Sequence, residues 1–318
     1  MKITVFGPQG AREAQAVDLP ALLASESGTV WVDIAGPTEM HVRIMADVFH
    51  FHPLAIEDTR NQRQRPKVEE YSEYLFLILN SFSAGREGMV FRELDVFVGR
   101  NYVVTVHQEA EPLIGEIEIR IDHTGAAQMS ISTLLYIVLD VVVDAYFPVL
   151  DDLAEEIENL GDRVLTHPKP ELLNRLFELK RELIDMWRVV WPQREMMNVL
   201  NHHQLPFIDQ AALQPYLRDV SDHLLWIADT VNTFRDTLTG MMDLYMSAVS
   251  NRLNQVVNRL TVYTVVIGFM TVIGGFYGMN FVQTWPPFDT PWGVPFVIAL
   301  MGGTVALLLV IFRKLKWY

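Results

Sequence analysis

Two uncharged and almost wholly apolar runs, 260–279 and 291–312, constrain this chain more than any other feature. Each is about twenty residues long, the length an α-helix needs to cross ~30 Å of hydrocarbon. The segment between them, 280–290, is short and rich in Pro, Trp and Phe, so the runs are expected to form a hairpin with both flanks on one side. Arg252 and Arg259 precede the first run, and Arg313, Lys314 and Lys316 follow the second, while the loop has no Lys or Arg. Positive charge favours the cytoplasmic side, which places the large N-terminal part and the C-terminus there.

Composition narrows the function classes. The chain has 318 residues, an apolar fraction of 50% and a formal charge of −14. Its mean hydropathy of +0.17 is high for a chain with 20% charged residues. An acidic balance disfavours nucleic acid, which requires clustered Lys and Arg. With no cysteine, disulfides, thiolate metal sites and thiol nucleophiles are excluded. No nucleophile motif or phosphate-binding glycine loop is present, so no enzyme is expected. Only His202 and His203 are neighbours among the nine histidines, and adjacent residues do not share a helix face, so no zinc ligand set is read here. The start, Met1-Lys2-Ile3-Thr4-Val5, lacks the pattern of a cleaved signal peptide.

No proline occurs between Pro215 and Pro286, so nothing there stops a single long helix. At 1.5 Å rise per residue it would reach roughly 100 Å, and most of it would stand outside the bilayer as a stalk. Read in sevens, one row is Asp222, Asp229, Asp236, Asp243, Ser250, Val257, Thr264, Thr271 and Gly278. A second is Gly240, Ser247, Asn254, Thr261, Gly268 and Gly275. Rows at this spacing share one helix face. In an ordinary coiled coil that seam would be Leu, Ile or Val. A stripe of small and polar residues in a membrane can let helices pack closely, or it can line a wet path for an ion. Close packing does not account for the row of aspartates at its cytoplasmic end. An acidic, then polar, seam reads better as a cation path, and several identical subunits must surround such a path.

Tyr277-Gly278-Met279-Asn280-Phe281, at the end of the first run and before a short loop and a final span, resembles the signature of the CorA magnesium transporter family. The resemblance extends to Asp219-Val220-Ser221-Asp222-His223, to His52-Pro53-Leu54-Ala55-Ile56-Glu57-Asp58, to Gln64-Arg65-Pro66-Lys67-Val68-Glu69 and to the basic end Arg313-Lys314-Leu315-Lys316-Trp317. It implies a funnel-shaped homopentamer in the inner cell membrane that admits Mg2+ passively, with Co2+ and Ni2+ also passing. Gly278, Met279 and Asn280 would form the selectivity filter. Asp243, Ser250, Asn254, Val257, Leu260, Thr261, Thr264, Gly268, Thr271 and Gly275 would line the pore, with Val257 and Leu260 as an apolar constriction. Regulatory Mg2+ would bind between neighbouring cytoplasmic domains at Asp58 and Asp219, with Glu57 and Asp140 as a second site.

The chain departs from the family's pattern in two places. Gly268 stands where many relatives carry a bulky side chain. Gln283-Thr284-Trp285-Pro286-Pro287-Phe288-Asp289 replaces the usual Met-Pro-Glu-Leu stretch, leaving Asp289 as the acidic loop residue. Two alternatives stand beside this reading. One is a zinc transporter of the same superfamily, of the ZntB kind, which usually carries Ile where this chain has Met279. The other is a hairpin-anchored sensor without a pore.

The expected fold is therefore an N-terminal cytoplasmic α/β domain, long helices and a two-helix transmembrane hairpin. In residues, 1–125 form the α/β domain, 126–205 long antiparallel helices, 206–259 the stalk, 260–280 the pore-lining span, 281–290 the external loop, 291–312 the second span and 313–318 a basic tail. Within the α/β domain Trp31-Val32-Asp33-Ile34, 74–79, 94–98 and 102–106 are strand-like and 38–51 is helix-like. Apolar residues at helical spacing predict helices over 130–165 and 171–200. The acidic run Asp151, Asp152, Glu155, Glu156 and Glu158 reads as a solvated helix face.

Overall fold

The computed structural model describes residues 1–25, 28–61, 64–85, 88–108, 112–202, 208–279, 285–287, 290–315 and 317. The chain divides into two compact units. The first holds Met1–Asp162 and Leu173–Gly240, the second Arg163–Leu172 and Met241–Tyr318.

Seven strands form one sheet in the first unit: β1 (Lys2–Gly7), β2 (Gly10–Glu13), β3 (Thr29–Ala35), β4 (Lys67–Glu70), β5 (Tyr74–Gly85), β6 (Gly88–Gly99) and β7 (Tyr102–His107). Their order is β2-β1-β3-β7-β6-β5-β4, and the β3–β7 pair is parallel while the others are antiparallel. Side chains alternate across a strand. Val30, Val32 and Ile34 of β3 therefore join Phe76, Ile78 and Phe97 on one face, where three short helices cover them: α1 (Leu19–Ala24), α2 (Glu39–Asp47) and α3 (Pro53–Arg60). The Phe51 ring stacks on Phe97 at 3.9 Å and helps seal this layer. The helix expected over 38–51 ends at Asp47, and His50 turns the chain with a left-handed φ of 55°.

Helices α4 (Pro112–Thr124) and α5 (Ile131–Asp144) follow the sheet, and α5 contacts β5 and β7. By composition α5 and the helix after it contain a window apolar enough to cross a membrane, but 67% of that window is buried inside the protein. It is a core helix. The helix expected over 130–165 is broken at Ala145 into α5 and α6 (Tyr146–Thr166). Pro148 supplies the reason: its ring cannot donate to the carbonyl of Asp144 and crowds it. The next helix, α7 (Pro170–His202), meets α6 through Arg175, whose guanidinium grips both oxygens of Glu156 at 2.6 and 2.8 Å. The Tyr146 hydroxyl donates to the Asn80 carbonyl at 2.7 Å, and the Asn80 amide donates to Gln193 at 2.9 Å, which ties α6 and α7 to β5.

One helix, α8 (Gln210–Tyr277), then runs for 68 residues. Within the first unit its buried stripe is Leu213, Leu217, Val220, Leu224, Ile227, Val231 and Leu238. Asp222, Asp229 and Asp236 each lie five residues beyond a member of that stripe, about 140° around the helix, and all three are exposed. The acidic row therefore faces away from the chain's own core. In the second unit the rest of α8 is joined by α9 (Gly293–Lys314). Only 6% of the apolar window is buried in α8, and only 6% in α9, the opposite of the α5–α6 stretch. Unburied apolar surface at that length fits a hydrocarbon solvent.

Two buried charge sites deserve physical weight. Arg120 of α4 bonds both Asp140 and Asp144 of α5, and Asp144 lies 3.7 Å from His223 Nδ1 of α8. The guanidinium thereby clamps α4 to α5, with His223 of α8 close to the same carboxylate. Asp95 on β6 is 1% exposed, and neither of its oxygens has a hydrogen-bond partner among the described residues. Burial, then the charges of Glu93 and Asp58, push its carboxyl well above the ordinary 3.8, against the pull of Lys67.

Replacing Arg120 with Met strands two close carboxylates, one of them buried, and is expected to cost about 2–4 kcal/mol, read as a lower thermal midpoint. For Asp95 the sign follows from proton binding. The folded chain keeps a proton that the unfolded chain releases above the ordinary aspartate range, so this residue's contribution falls as pH rises. Asp95→Asn is expected to gain stability relative to the native chain as pH rises above the ordinary aspartate range, and a difference in midpoints that is constant with pH would contradict this.

Candidate functional site

The second-unit part of α8 carries the polar row on its exposed surface. Asp243, Ser250, Asn254, Thr264, Gly268, Thr271 and Gly275 are exposed, and Thr261 is partly buried. Val257 and Leu260, the two apolar members, are 50% and 63% exposed, which is unusual for large aliphatic residues unless another surface covers them. The hydroxyls of Thr261, Thr264 and Thr271 donate to the carbonyls of Val257, Leu260 and Ile267 at 2.9, 2.9 and 2.8 Å. Each hydroxyl proton is thus spent on the helix. The oxygen is left as an acceptor, turned toward whatever lies along the row. Such oxygens suit a cation's hydration water.

The helix ends where the motif begins. The Gly278 amide donates to Gly274 at 2.9 Å and the Met279 amide to Phe276 at 3.3 Å. A Cβ at Gly278 would sit 3.0 Å from the Gly274 carbonyl oxygen, so a side chain there would press on this last turn. The Tyr277 hydroxyl donates to the Trp285 carbonyl at 3.4 Å, and the Trp285 ring meets Phe296 of α9 edge-on at 5.6 Å. Tyr277 therefore helps hold the loop against α9. Asn280 and Asp289 lie outside the described residues.

The candidate regulatory carboxylates occupy unlike settings. Asp58, near the end of α3, is partly buried, and its Oδ2 accepts a hydrogen bond from Lys67 Nζ at 2.7 Å. Glu57 and Asp219 are exposed. Tyr136 lies near Asp219: burial first, and then the Asp219 charge, raise its phenol above the ordinary value. Asp219 offers an exposed carboxylate to a hard divalent cation, and Asp58 offers a partly buried one that an ion would have to take from a single Lys67 contact. Asp140 does not fit in the same way, because its side chain is 7% exposed and Arg120 already holds it.

Among the described residues one group of three potential metal ligands comes together: Asp140, Asp144 and His223, with ligand atoms within 4.8 Å of one another. Among the described residues Glu57, Asp58 and Asp219 join no such group. The grouping by distance points to a metal, while the ion pairs point to a satisfied cluster. The ion pairs decide, since the guanidinium on both carboxylates repels a second cation. Sequence reasoning singled out Asp140 alone. The i, i+4 spacing of Asp140 and Asp144 put both on one helix face, but nothing local brought Arg120 or His223 to them. Lys67 was noted only as part of a motif, and its contact with Asp58 needs the sheet.

The family model described as "CorA-like Mg2+ transporter protein" matches residues 26–314. The cobalt/magnesium transport protein CorA of Thermotoga maritima is 34% identical over 314 residues, 96% of this chain and 89% of the relative. The complete structure of the CorA magnesium transporter from Methanocaldococcus jannaschii superposes with a TM-score of 0.85 at 22% identity, covering 100% of this chain and 99% of that one. The ZntB cytoplasmic domain from Vibrio parahaemolyticus shares the fold with a TM-score of 0.63 at 12% identity, covering 79% of this chain and 98% of that domain. A polar row on an unburied apolar helix, the motif that ends it and the match over nearly the whole chain lead to one placement: the chain belongs to the CorA-like Mg2+ transporter family.

Proposed function

We propose that this chain is one subunit of a homopentameric channel in the inner cell membrane that carries Mg2+ into the cell, with Co2+ and Ni2+ as further cargo. One observation carries the reading: a polar face that runs from Asp243 to Gly278 and continues, over Thr261 to Gly278, along a helix whose other faces are apolar and almost wholly unburied. Five copies around an axis would turn that face inward and the apolar faces to lipid. The basic flanks Arg252, Arg259, Arg313 and Lys314 place both ends of the hairpin in the cytoplasm.

The cargo follows from the donors. Mg2+ sheds water reluctantly and is commonly bound through it. The row offers hydroxyl and amide oxygens but neither thiolate nor imidazole, which soft or borderline ions prefer. A ring of Asn280 amides would accept hydrogen bonds from the ion's water without the grip of a carboxylate ring. Gly278 and Met279 complete this filter, with backbone carbonyls as further acceptors. Val257 and Leu260 form an apolar girdle that excludes water when the pore is narrow. The support from relatives is that the Thermotoga protein is named for cobalt and magnesium transport.

Regulation rests on Asp58 and Asp219. Carboxylates of neighbouring subunits repel one another, which loosens the interface and opens the pore. Bound Mg2+ would supply the positive charge that draws these carboxylates together. Lower internal Mg2+ then shifts the population toward the open form.

Liposomes holding the purified protein are expected to take up Mg2+ and Co2+ in preference to Zn2+, with no dependence on a pH gradient. Asn280→Ala is expected to abolish this uptake or its selectivity, and unchanged flux with unchanged selectivity would overturn the filter assignment. Asp219→Ala is expected to raise severalfold the Mg2+ concentration that protects the protein from protease. Identical protection curves would refute the role of Asp219 in regulation.

A further inference from the structure

Lys67 stands between two carboxylates. Its Nζ lies 2.7 Å from Asp58 Oδ2 on α3 and 2.6 Å from Glu69 Oε1, two residues along β4. Residues two apart on a strand point to the same face, so the strand itself sets this second partner. Glu69 is held in place by the Tyr71 hydroxyl, which donates to its other oxygen at 3.0 Å. Burial alone would raise the Glu69 carboxyl, but the bonds from Lys67 and Tyr71 leave it below its ordinary value. Burial alone would lower the Lys67 ammonium, and the two carboxylates raise it instead. Lys67 is therefore a charged ammonium with one partner fixed beside it and the other on a different element.

The setting beneath is acidic. Asp95 is buried behind this corner, and Glu93 accepts from the Gln64 amide at 2.7 Å. Among the groups acting on Asp95, Lys67 supplies the positive charge and Glu93 and Asp58 the negative. Among the described residues the cation that meets the Asp58 carboxylate is Lys67.

We propose that Lys67 is a tethered competitor of Mg2+ at Asp58: it holds the carboxylate while the ion is away, retires to Glu69 when the ion binds, and so sets the Mg2+ concentration at which the sensor responds. This rests on the reading of Asp58 as a regulatory ligand. The chemistry of the side chain suits the exchange. An ammonium is a compact charge on a flexible stem and can leave one partner without breaking a fork. Because Glu69 stays with it, the exchange strands no buried charge. Arg120 marks the contrast. Its guanidinium spans Asp140 and Asp144 at once, Asp140 is more buried than Asp58, and leaving either carboxylate breaks the clamp.

The test is the Mg2+ dependence of protease protection of the full chain in nanodiscs, with Mg2+ binding measured directly by calorimetry. Asp58→Ala is expected to raise the half-protecting concentration, and no change there would remove the reading on which the proposal rests. Given that shift, Lys67→Met is expected to lower the half-protecting concentration about fivefold, the weight of one partly exposed ion pair. Glu69→Gln, which removes the retreat, is expected to raise it severalfold. The double variant separates exchange from a mere change in local charge. If Lys67 is the competitor, Glu69 has no role once it is gone, and Lys67→Met/Glu69→Gln behaves like Lys67→Met. If only net charge matters, the two effects cancel and the double variant returns to the native value, which would overturn the proposal. Unchanged protection and binding in Lys67→Met and Lys67→Gln, each with a native thermal midpoint, would overturn it as well.

Discussion

A helix in hydrocarbon satisfies its own backbone, but a polar side-chain row along it remains to be satisfied by something else. This constraint governs the second half of α8. Thr261, Thr264 and Thr271 meet half of the demand locally by donating to carbonyls one turn back. Their acceptor oxygens, and the amide of Asn254, remain on the surface of the single chain. In the proposed assembly water around a central axis would answer that demand, and the apolar faces, unburied in one chain, would answer to lipid or to neighbours. The same residues that forbid α8 from standing alone in a bilayer are the ones that make a repeated arrangement productive. The rest of the fold serves this one helix: its first half is anchored by Leu217, Val220, Leu224, Ile227 and Val231 on the side away from the aspartates.

Charge placement in the first unit follows a second constraint. A carboxylate taken out of water needs a cation, or it takes up a proton. The chain uses three answers within one domain. Asp140 and Asp144 receive a fixed guanidinium. Asp58 receives an ammonium that has another partner nearby. Asp95 receives none and its carboxyl is pushed upward by burial. These answers differ in how readily a free cation replaces them. A planar fork across two carboxylates resists replacement, and a single ammonium contact yields to it. The difference between Asp140 and Asp58 is thus one of exchangeability, although both are aspartates near the ends of helices.

Much of the architecture was legible along the chain, for reasons that can be assigned. Short runs rich in Val, Ile, Tyr and Phe revealed β3, β5, β6 and β7, which line the Phe51–Phe97 core on one face, with β5 and β7 also meeting α5. The unbroken span of α8 followed from the lack of proline. Misses arose where local pattern and tertiary setting part. The α5 sequence is as apolar as a membrane span, and only its burial against the sheet distinguishes it. Pro148 was the available signal for the break after Asp144, and His50 carried none, since a left-handed histidine turn has no marker in the sequence. At the candidate site, spacing in sevens was enough for the row on α8, because a helix converts sequence distance into position. It was not enough for Lys67 or Arg120, whose partners are brought to them by sheet pairing and helix packing.

That contrast bears on how ion handling is divided in this protein. The row on α8 works by repetition. Beyond Asp243 its donors are neutral hydroxyls and amides, and no one of these holds a cation strongly, which suits passage. The carboxylates of the first unit work by exclusion and exchange. Asp58, like Asp140 and Asp144, is already balanced within the chain, so a divalent ion at Asp58 must displace a group rather than fill a void. A threshold set by displacement depends on a difference between two ion pairs, and such differences are small. A small difference places the response within reach of modest changes in ion concentration, whereas a site of unopposed carboxylates would stay filled. On this argument the lysine beside Asp58 is as much a part of the sensor as the carboxylate it covers.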